Sequence, residues 1–254
     1  MPTMKYFFTS LVYLLIAFGR AAAQDVLIVA DEIPAMEALA KGIQKQEGLT
    51  AKIVTQTNMP ATLTPFRAVV VYIHKDLDSI PERSFISYTR NGGKLICLHH
   101  SISSAKRKNK EWFPFLGIDL PKKDVAEGGY KYVGDIDMAV VNLAPQHFIT
   151  THKITYPSTI LYRREGEQKE AQLPGILLAK TEGFLNHQLL GSRTILLGFK
   201  FTDTEGKTWM QDRSAWCMPA GKGWLFYSQP GHAVSDFENP VYAQIIANAI
   251  LYKP

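Results

Sequence analysis

The chain has 254 residues, 46% of them hydrophobic and 20% charged, with a formal net charge of +5. That composition suits one globular domain with a full core, or at most two small ones. The charge excess is mild. No aromatic interleaving or known motif marks a nucleic-acid-binding chain.

The first residues read as a signal peptide. Lys5 gives a short basic region, Tyr6 to Phe18 is almost uninterrupted apolar sequence, and Ala21-Ala22-Ala23 offers small residues to a peptidase. The spacing predicts cleavage before Gln24, a signal peptide over 1–23 and a single domain over 24–254. The apolar run is shorter than the roughly 20 residues of a membrane-spanning helix, and no Cys follows it for lipid attachment. The expectation is an exported protein, periplasmic or extracellular, without a stable membrane anchor. Removing Lys5 and Arg20 with the leader leaves a net charge of +3.

Asp25 to Asp31 is a continuous apolar run, the pattern of a strand buried on both faces. Met36, Leu39, Ala40 and Ile43 follow at helical spacing, and Gly48 ends the helix. Ala51 to Val54 and Ala68 to His74 are further strands. Pro81 opens a helix carrying Phe85, Ile86 and Tyr88, which Asn91-Gly92-Gly93 stops. Lys94 to His99 is a fourth strand. This alternation predicts an α/β fold with a mostly parallel central sheet and helices on both faces. Lys106 to Lys110 reads as a solvated basic loop, and Trp112 to Leu116 as an aromatic turn or short helix. Strands are expected over Tyr130–Val141, Ile160–Arg163, Pro174–Ala179, Thr194–Phe201 and Trp224–Ser228, partly antiparallel. Asn239 caps a C-terminal helix with Pro240 in its first turn and Val241, Ile245, Ile246, Ala249 and Ile250 on its apolar face. Cys97 and Cys217 read as free buried thiols.

Open parallel sheets bind ligands beyond the carboxyl ends of their strands. The fourth strand runs into His99-His100-Ser101, where a nucleophile elbow would stand in a hydrolase of this architecture. The last strand runs through Ser228-Gln229-Pro230-Gly231 to His232. His99, His232 and His100 are therefore the candidate catalytic residues, expected to share one crevice. The same three could hold a divalent metal such as zinc, although no compact ligand motif is present. Ser101, His74, Glu127, Tyr130 and Trp112 are candidate substrate-binding residues: His74 ends the third strand, Glu127 lies in a flexible turn, and the rings could form an apolar platform for a ligand. Trp209 and Trp216 could do the same. Asp31 and Glu32 end the first strand, where capping of the following helix is the simpler role. His147 and His152 read as turn residues, and His187 receives no role.

Three ordered motifs resemble the ThuA-like, or trehalose-utilisation, family. They are Gly92-Gly93 through Leu98-His99, Gln146-His147-Phe148-Ile149-Thr150, and Gly221-Lys222-Gly223-Trp224-Leu225-Phe226-Tyr227 running to Gly231-His232. The helix start at Glu238-Asn239-Pro240 completes the match, while about 181–216 fits poorly and reads as an insertion. The resemblance implies a flavodoxin-like sheet of the class I glutamine amidotransferase kind. It also implies a role in sugar catabolism, hydrolase-like or sugar-modifying, on a small carbohydrate or glycoside. A non-catalytic carbohydrate-binding or accessory module is one alternative. A Cys-dependent amidase is another, because Ile96-Cys97-Leu98-His99 can be laid on the amidotransferase elbow with His232 as base. Against it, His99 replaces the elbow glycine that eases a tight turn, and Val234 stands where an orienting Glu is expected.

Overall fold

The computed structural model describes residues 25–254; the expected signal peptide lies outside the described residues. In chain order the elements are β1 (Val26–Ala30), α1 (Ile33–Glu47), β2 (Ala51–Val54), β3 (Ala68–Tyr72), α2 (Ser79–Arg90), β4 (Lys94–Leu98), α3 (Trp112–Leu116), β5 (Ile118–Asp119) and β6 (Lys131–Asn142). Then follow α4 (Phe148–Thr151), β7 (Ser158–Tyr162), β8 (Ala171–Leu185), β9 (Gln188–Leu189), β10 (Thr194–Thr202), β11 (Thr208–Ala220), β12 (Gly223–Ser228), α5 (Val234–Glu238) and α6 (Pro240–Leu251).

Ten strands form one sheet in the order β2-β1-β3-β4-β12-β11-β10-β6-β8-β7. Neighbours from β2 to β12 pair in parallel, and every pair from β12 onward is antiparallel. The expectation of a mostly parallel sheet is thus corrected: the parallel half has the 2-1-3-4-5 order of a doubly wound sheet, and an antiparallel half of equal size extends it. The segment expected to be an insertion supplies the end of β8, β10 and most of β11, which sit inside this sheet.

Alternation along each strand divides the core in two. Val26, Ile28, Val70, Ile96 and Phe226 face α1 and α6. Leu27, Val29, Val69, Leu95 and Tyr227 face α2 and α3. Cys97 and Cys217 fall on opposite faces, both buried and free. Gly48 ends α1 at φ +66°, and Asn239 Oδ1 caps α6 by accepting from the Val241 and Tyr242 amides. Among the described residues no helix is long and apolar enough to cross a membrane.

Two features position the site. β6 and β8 shift register between Val133 and Met138, with Asp135 and Lys180 in the left-handed region at φ +54° and +52°. Such bulges bend and twist a ribbon, and the far end of this one lies over the carboxyl end of β4. The second feature is the basic segment after β4, which is solvated at Arg107, Lys108 and Lys110 but not at Lys106. Lys106 is buried, its Nζ donating to the carbonyls of Ile73, His74 and Lys75, while Arg107 donates to Leu120 O and Lys108 pairs with Asp76.

Candidate functional site

β4 ends at Leu98, and the chain breaks sharply at His99, which adopts φ +35°. The elbow therefore persists without glycine, with a histidine in the left-handed region at a cost of about 1–3 kcal/mol. Strand alternation stops there, so the side of Cys97 does not predict the side of His99. His99 is held at three points, two on its ring and one on its backbone. Nδ1 lies 2.5 Å from Gln229 O, the ring stacks on Phe184 at 4.7 Å, and the His99 carbonyl accepts from Tyr227 Oη at 3.2 Å. Since Gln229 O can only accept, Nδ1 carries the proton and Nε2 the lone pair. His99 is wholly buried, and burial pushes its pKa down to about 3, with the charges of His232 and His74 adding to the shift. His100 is also buried and pushed far down by desolvation. It stands edge-on to His99 at 4.2 Å and stacks flat on His74 at 4.0 Å.

β12 delivers His232 to the same place. The His99 and His232 ring centres are 5.4 Å apart, although 133 positions separate them in sequence. The turn before His232 needs Gly231, at φ +115°, because a Cβ there would meet the Phe237 ring at 2.6 Å. Asp236 holds this turn: its Oδ2 accepts from the amides of Gly231, His232 and Ala233 and from Thr181 Oγ1. Tyr72 Oη adds bonds to the carbonyls of Gly231 and His232.

The carboxylate comes from β8. Glu182 follows Thr181, the residue tied to Asp236. Its Oε2 lies 3.2 Å from His232 Nδ1 and its Oε1 3.8 Å from His99 Nε2. Burial raises the Glu182 pKa, and the nearby His232 and His74 charges oppose that rise. One donor atom each from His99, His100, Glu182 and His232 lies within 4.8 Å of the others, a set of three imidazoles and a carboxylate able to hold a metal ion. Glu32, His74 and His100 form an adjoining set. Glu32 occupies the cap position of α1 but makes no side-chain cap; its Oε1 lies 2.7 Å from His74 Nδ1. Asp31 accepts from the amides of His74 and Lys75. The capping role expected for this pair is therefore corrected. Both instead fix the loop after β3.

The other candidates divide by access. Cys97 is buried one step below the elbow, and desolvation raises its thiol pKa. A catalytic thiolate needs access and a cationic neighbour, and Cys97 has neither. Ser101 is buried with its Oγ 3.3 Å from Val71 O. Trp112 is fully buried, donating from Nε1 to Ser101 O, and offers no ring face to a sugar. Trp216 is also buried, under the Arg193 guanidinium. Trp209 packs in a hairpin against Lys207 and Asp203. Tyr130 stacks on Phe184 at 5.9 Å, which places it beside the cluster, whereas Glu127 stays exposed in its turn. His147 caps α4 by accepting from the Ile149 amide, and His152 faces Glu47 at 3.9 Å. His187 is buried near Tyr227.

Sequence reasoning missed Glu182, Asp236 and Gln229. Glu182 had one signal, a lone acid between Thr181 and Gly183-Phe184-Leu185 in an otherwise apolar strand end. Asp236 had another, four residues past His232 at the opening of a helical segment. Nothing in sequence marked Gln229, which acts through its main-chain carbonyl.

Comparison with known proteins bears on the fold. A ThuA-like protein from Bacteroides uniformis ATCC 8492 superposes with a TM-score of 0.58 at 14% identity, covering 93% of this chain and 94% of that one. The cold-adapted β-galactosidase of Rahnella sp. R3 gives 0.51 at 10% identity, over 86% of this chain. The β-galactosidase of the Antarctic haloarchaeon Halorubrum lacusprofundi gives 0.51 at 11% identity, over 90%. This chain spans about 30% of the length of each galactosidase, and at these identities the likeness is one of fold. Among curated proteins no sequence match is found. The profile of the ThuA family, described as trehalose utilisation, matches residues 24–253, so the chain belongs to that family.

Proposed function

We propose that this is an exported protein, periplasmic or extracellular, that acts on a small carbohydrate or glycoside by hydrolase-like or sugar-modifying acid–base chemistry. The observation that carries the chemistry is the meeting of Glu182 with His99, His100 and His232 beyond the carboxyl ends of β4 and β12. Family membership supports the sugar. In this reading the buried His99 and His100 set the polarity of the site. His232 and Glu182, with side chains 37% and 13% exposed, are the groups able to touch a substrate. Glu182 would accept a proton from a sugar hydroxyl or water, and His232 would stabilise or relay it. Glu32, in the adjoining set with His74 and His100, would be the second carboxylate that glycoside hydrolysis ordinarily uses.

The test is a panel of disaccharides and aryl glycosides, trehalose included, followed by product chromatography and thermal shift. Turnover or a saturable shift is expected, and Glu182→Gln should abolish turnover while the protein stays folded. Indifference to every sugar in the panel would refute the reading. Binding without turnover that survives Glu182→Gln would favour an accessory module.

A further inference from the structure

We propose that His99, His100, Glu182 and His232 form a binding site for one divalent first-row transition ion of the zinc class. The argument starts from atoms without partners. His99 Nε2 and His100 Nδ1 are buried and make no hydrogen bond, and the buried His232 Nδ1 makes none either, although Glu182 Oε2 lies 3.2 Å from it. Orphaned buried polar atoms are uncommon in folded proteins and call for an explanation.

At His99 the tautomer sharpens the question. Gln229 O takes the Nδ1 proton, so Nε2 presents a lone pair, and it faces Glu182 Oε1 at 3.8 Å. A lone pair directed at a carboxylate oxygen is repulsive unless a proton or a metal ion stands between them. A metal ion satisfies both acceptors at once.

The spacing fits. Ligand bonds of about 2.0–2.2 Å place the donor atoms of a tetrahedral site roughly 3.3–3.5 Å apart. The Glu182 carboxylate lies close to that range from both rings, 3.2 Å from His232 Nδ1 through Oε2 and 3.8 Å from His99 Nε2 through Oε1, and one donor atom from each of the four residues lies within 4.8 Å of the others. The surrounding shell is built as metal sites require. Gln229 O orients His99, Asp236 clamps the backbone of His232, and Glu32 holds His74, which lies flat against His100.

The donor set also selects the ion. Three imidazoles and one carboxylate, without thiolate, suit Zn²⁺ and its first-row neighbours, whereas Mg²⁺ and Ca²⁺ prefer all-oxygen shells. The inference rests on reading this cluster as the working centre. Metal binding needs no sugar, however, so the two readings can fail separately.

The test is calorimetric titration of the purified, chelator-stripped chain with Zn²⁺, with Mg²⁺ as comparison and Co²⁺ as a spectroscopic probe. One Zn²⁺ per chain is expected at on the order of micromolar affinity or tighter, with Co²⁺ giving visible ligand-field bands and Mg²⁺ showing no binding. Glu182→Gln and His232→Ala should each weaken Zn²⁺ binding by about 100-fold or more, and His152→Ala should leave it unchanged. His232 is partly exposed and Glu182→Gln conserves volume, so both variants should fold; melting curves check this. Absence of Zn²⁺ binding, equal binding of Mg²⁺, or full affinity in the folded Glu182→Gln and His232→Ala variants would overturn the proposal. Zinc binding without any response to sugars would sustain it and count against the proposed function instead.

Discussion

Replacing Asp236 should loosen both sides of the site at once. One oxygen of this buried carboxylate accepts from three successive amides at 3.2, 3.0 and 3.2 Å and from Thr181 Oγ1 at 2.6 Å. The amides belong to the turn that carries His232, and Thr181 precedes Glu182, so Asp236 joins the two elements that face each other across the cluster. Asp236→Ala strands four donors. The Gly231 amide and Thr181 hydroxyl are buried, and each buried donor without a partner costs about 1–3 kcal/mol. The His232 and Ala233 amides are partly open and recover water. The total comes to about 4 kcal/mol, which for a chain of this size is a fall in Tm of about 10 °C. Asp236→Asn keeps one acceptor oxygen and places its amide where the other, unpartnered oxygen stood, so it should cost about 1–2 kcal/mol. Urea denaturation of the three proteins measures these differences directly. A loss below about 1 kcal/mol in Asp236→Ala would refute the account of Asp236 as the joint between β8 and the His232 turn.

Native protein should resist iodoacetamide at both cysteines and become alkylated only on unfolding, since Cys97 and Cys217 are buried and burial raises their thiol pKa values; rapid native modification of Cys97 would revive the amidase reading. Gly223→Ala should destabilise by about 2 kcal/mol or more, because its Cβ would run into the carbonyls of Thr89 and Gly93; an unchanged melting curve would contradict that packing. Burial pushes the Lys106 pKa down to about 8 from 10.5. The folded state therefore binds fewer protons than the unfolded state between those values, and stability should gain with rising pH across that window. Lys106→Met should lack the gain, and identical pH profiles by urea denaturation would refute it.

The parallel half was legible because its strands are buried on both faces and read as continuous apolar runs, with Gly48 and Asn239 at the helix ends where propensity places them. β11 was not legible. Its middle, Gln211-Asp212-Arg213-Ser214, has neither an apolar run nor alternation, and it is a strand because β10 and β12 flank it. The histidines of the site followed from one rule, that strand ends in a parallel sheet face the ligand. Glu182 escaped that rule because β8 belongs to the antiparallel half. Its position depends on bulges at Asp135 and Lys180, non-glycine residues with positive φ that no residue pattern announces. The basic run at 106–110 misled at Lys106 for a related reason: three carbonyls of the loop after β3 converge on its Nζ, a contact set by tertiary placement alone.

The elbow links fold to function most directly. A glycine at position 99 would relax the backbone, yet it would remove the imidazole around which the site is arranged. The surrounding contacts hold the less comfortable choice in place. Gln229 O fixes the ring, Phe184 covers it, and Tyr227 Oη takes the carbonyl. Gln229 and Tyr227 come from β12 and the turn that follows it, the same segment that brings in His232. Phe184 comes from the β8 end that brings in Glu182. The residues that stabilise the strained turn therefore sit on the segments that deliver the other site residues. Strain retained where function is assembled, and offset by those same segments, is the pattern expected of a working site rather than of a packing accident.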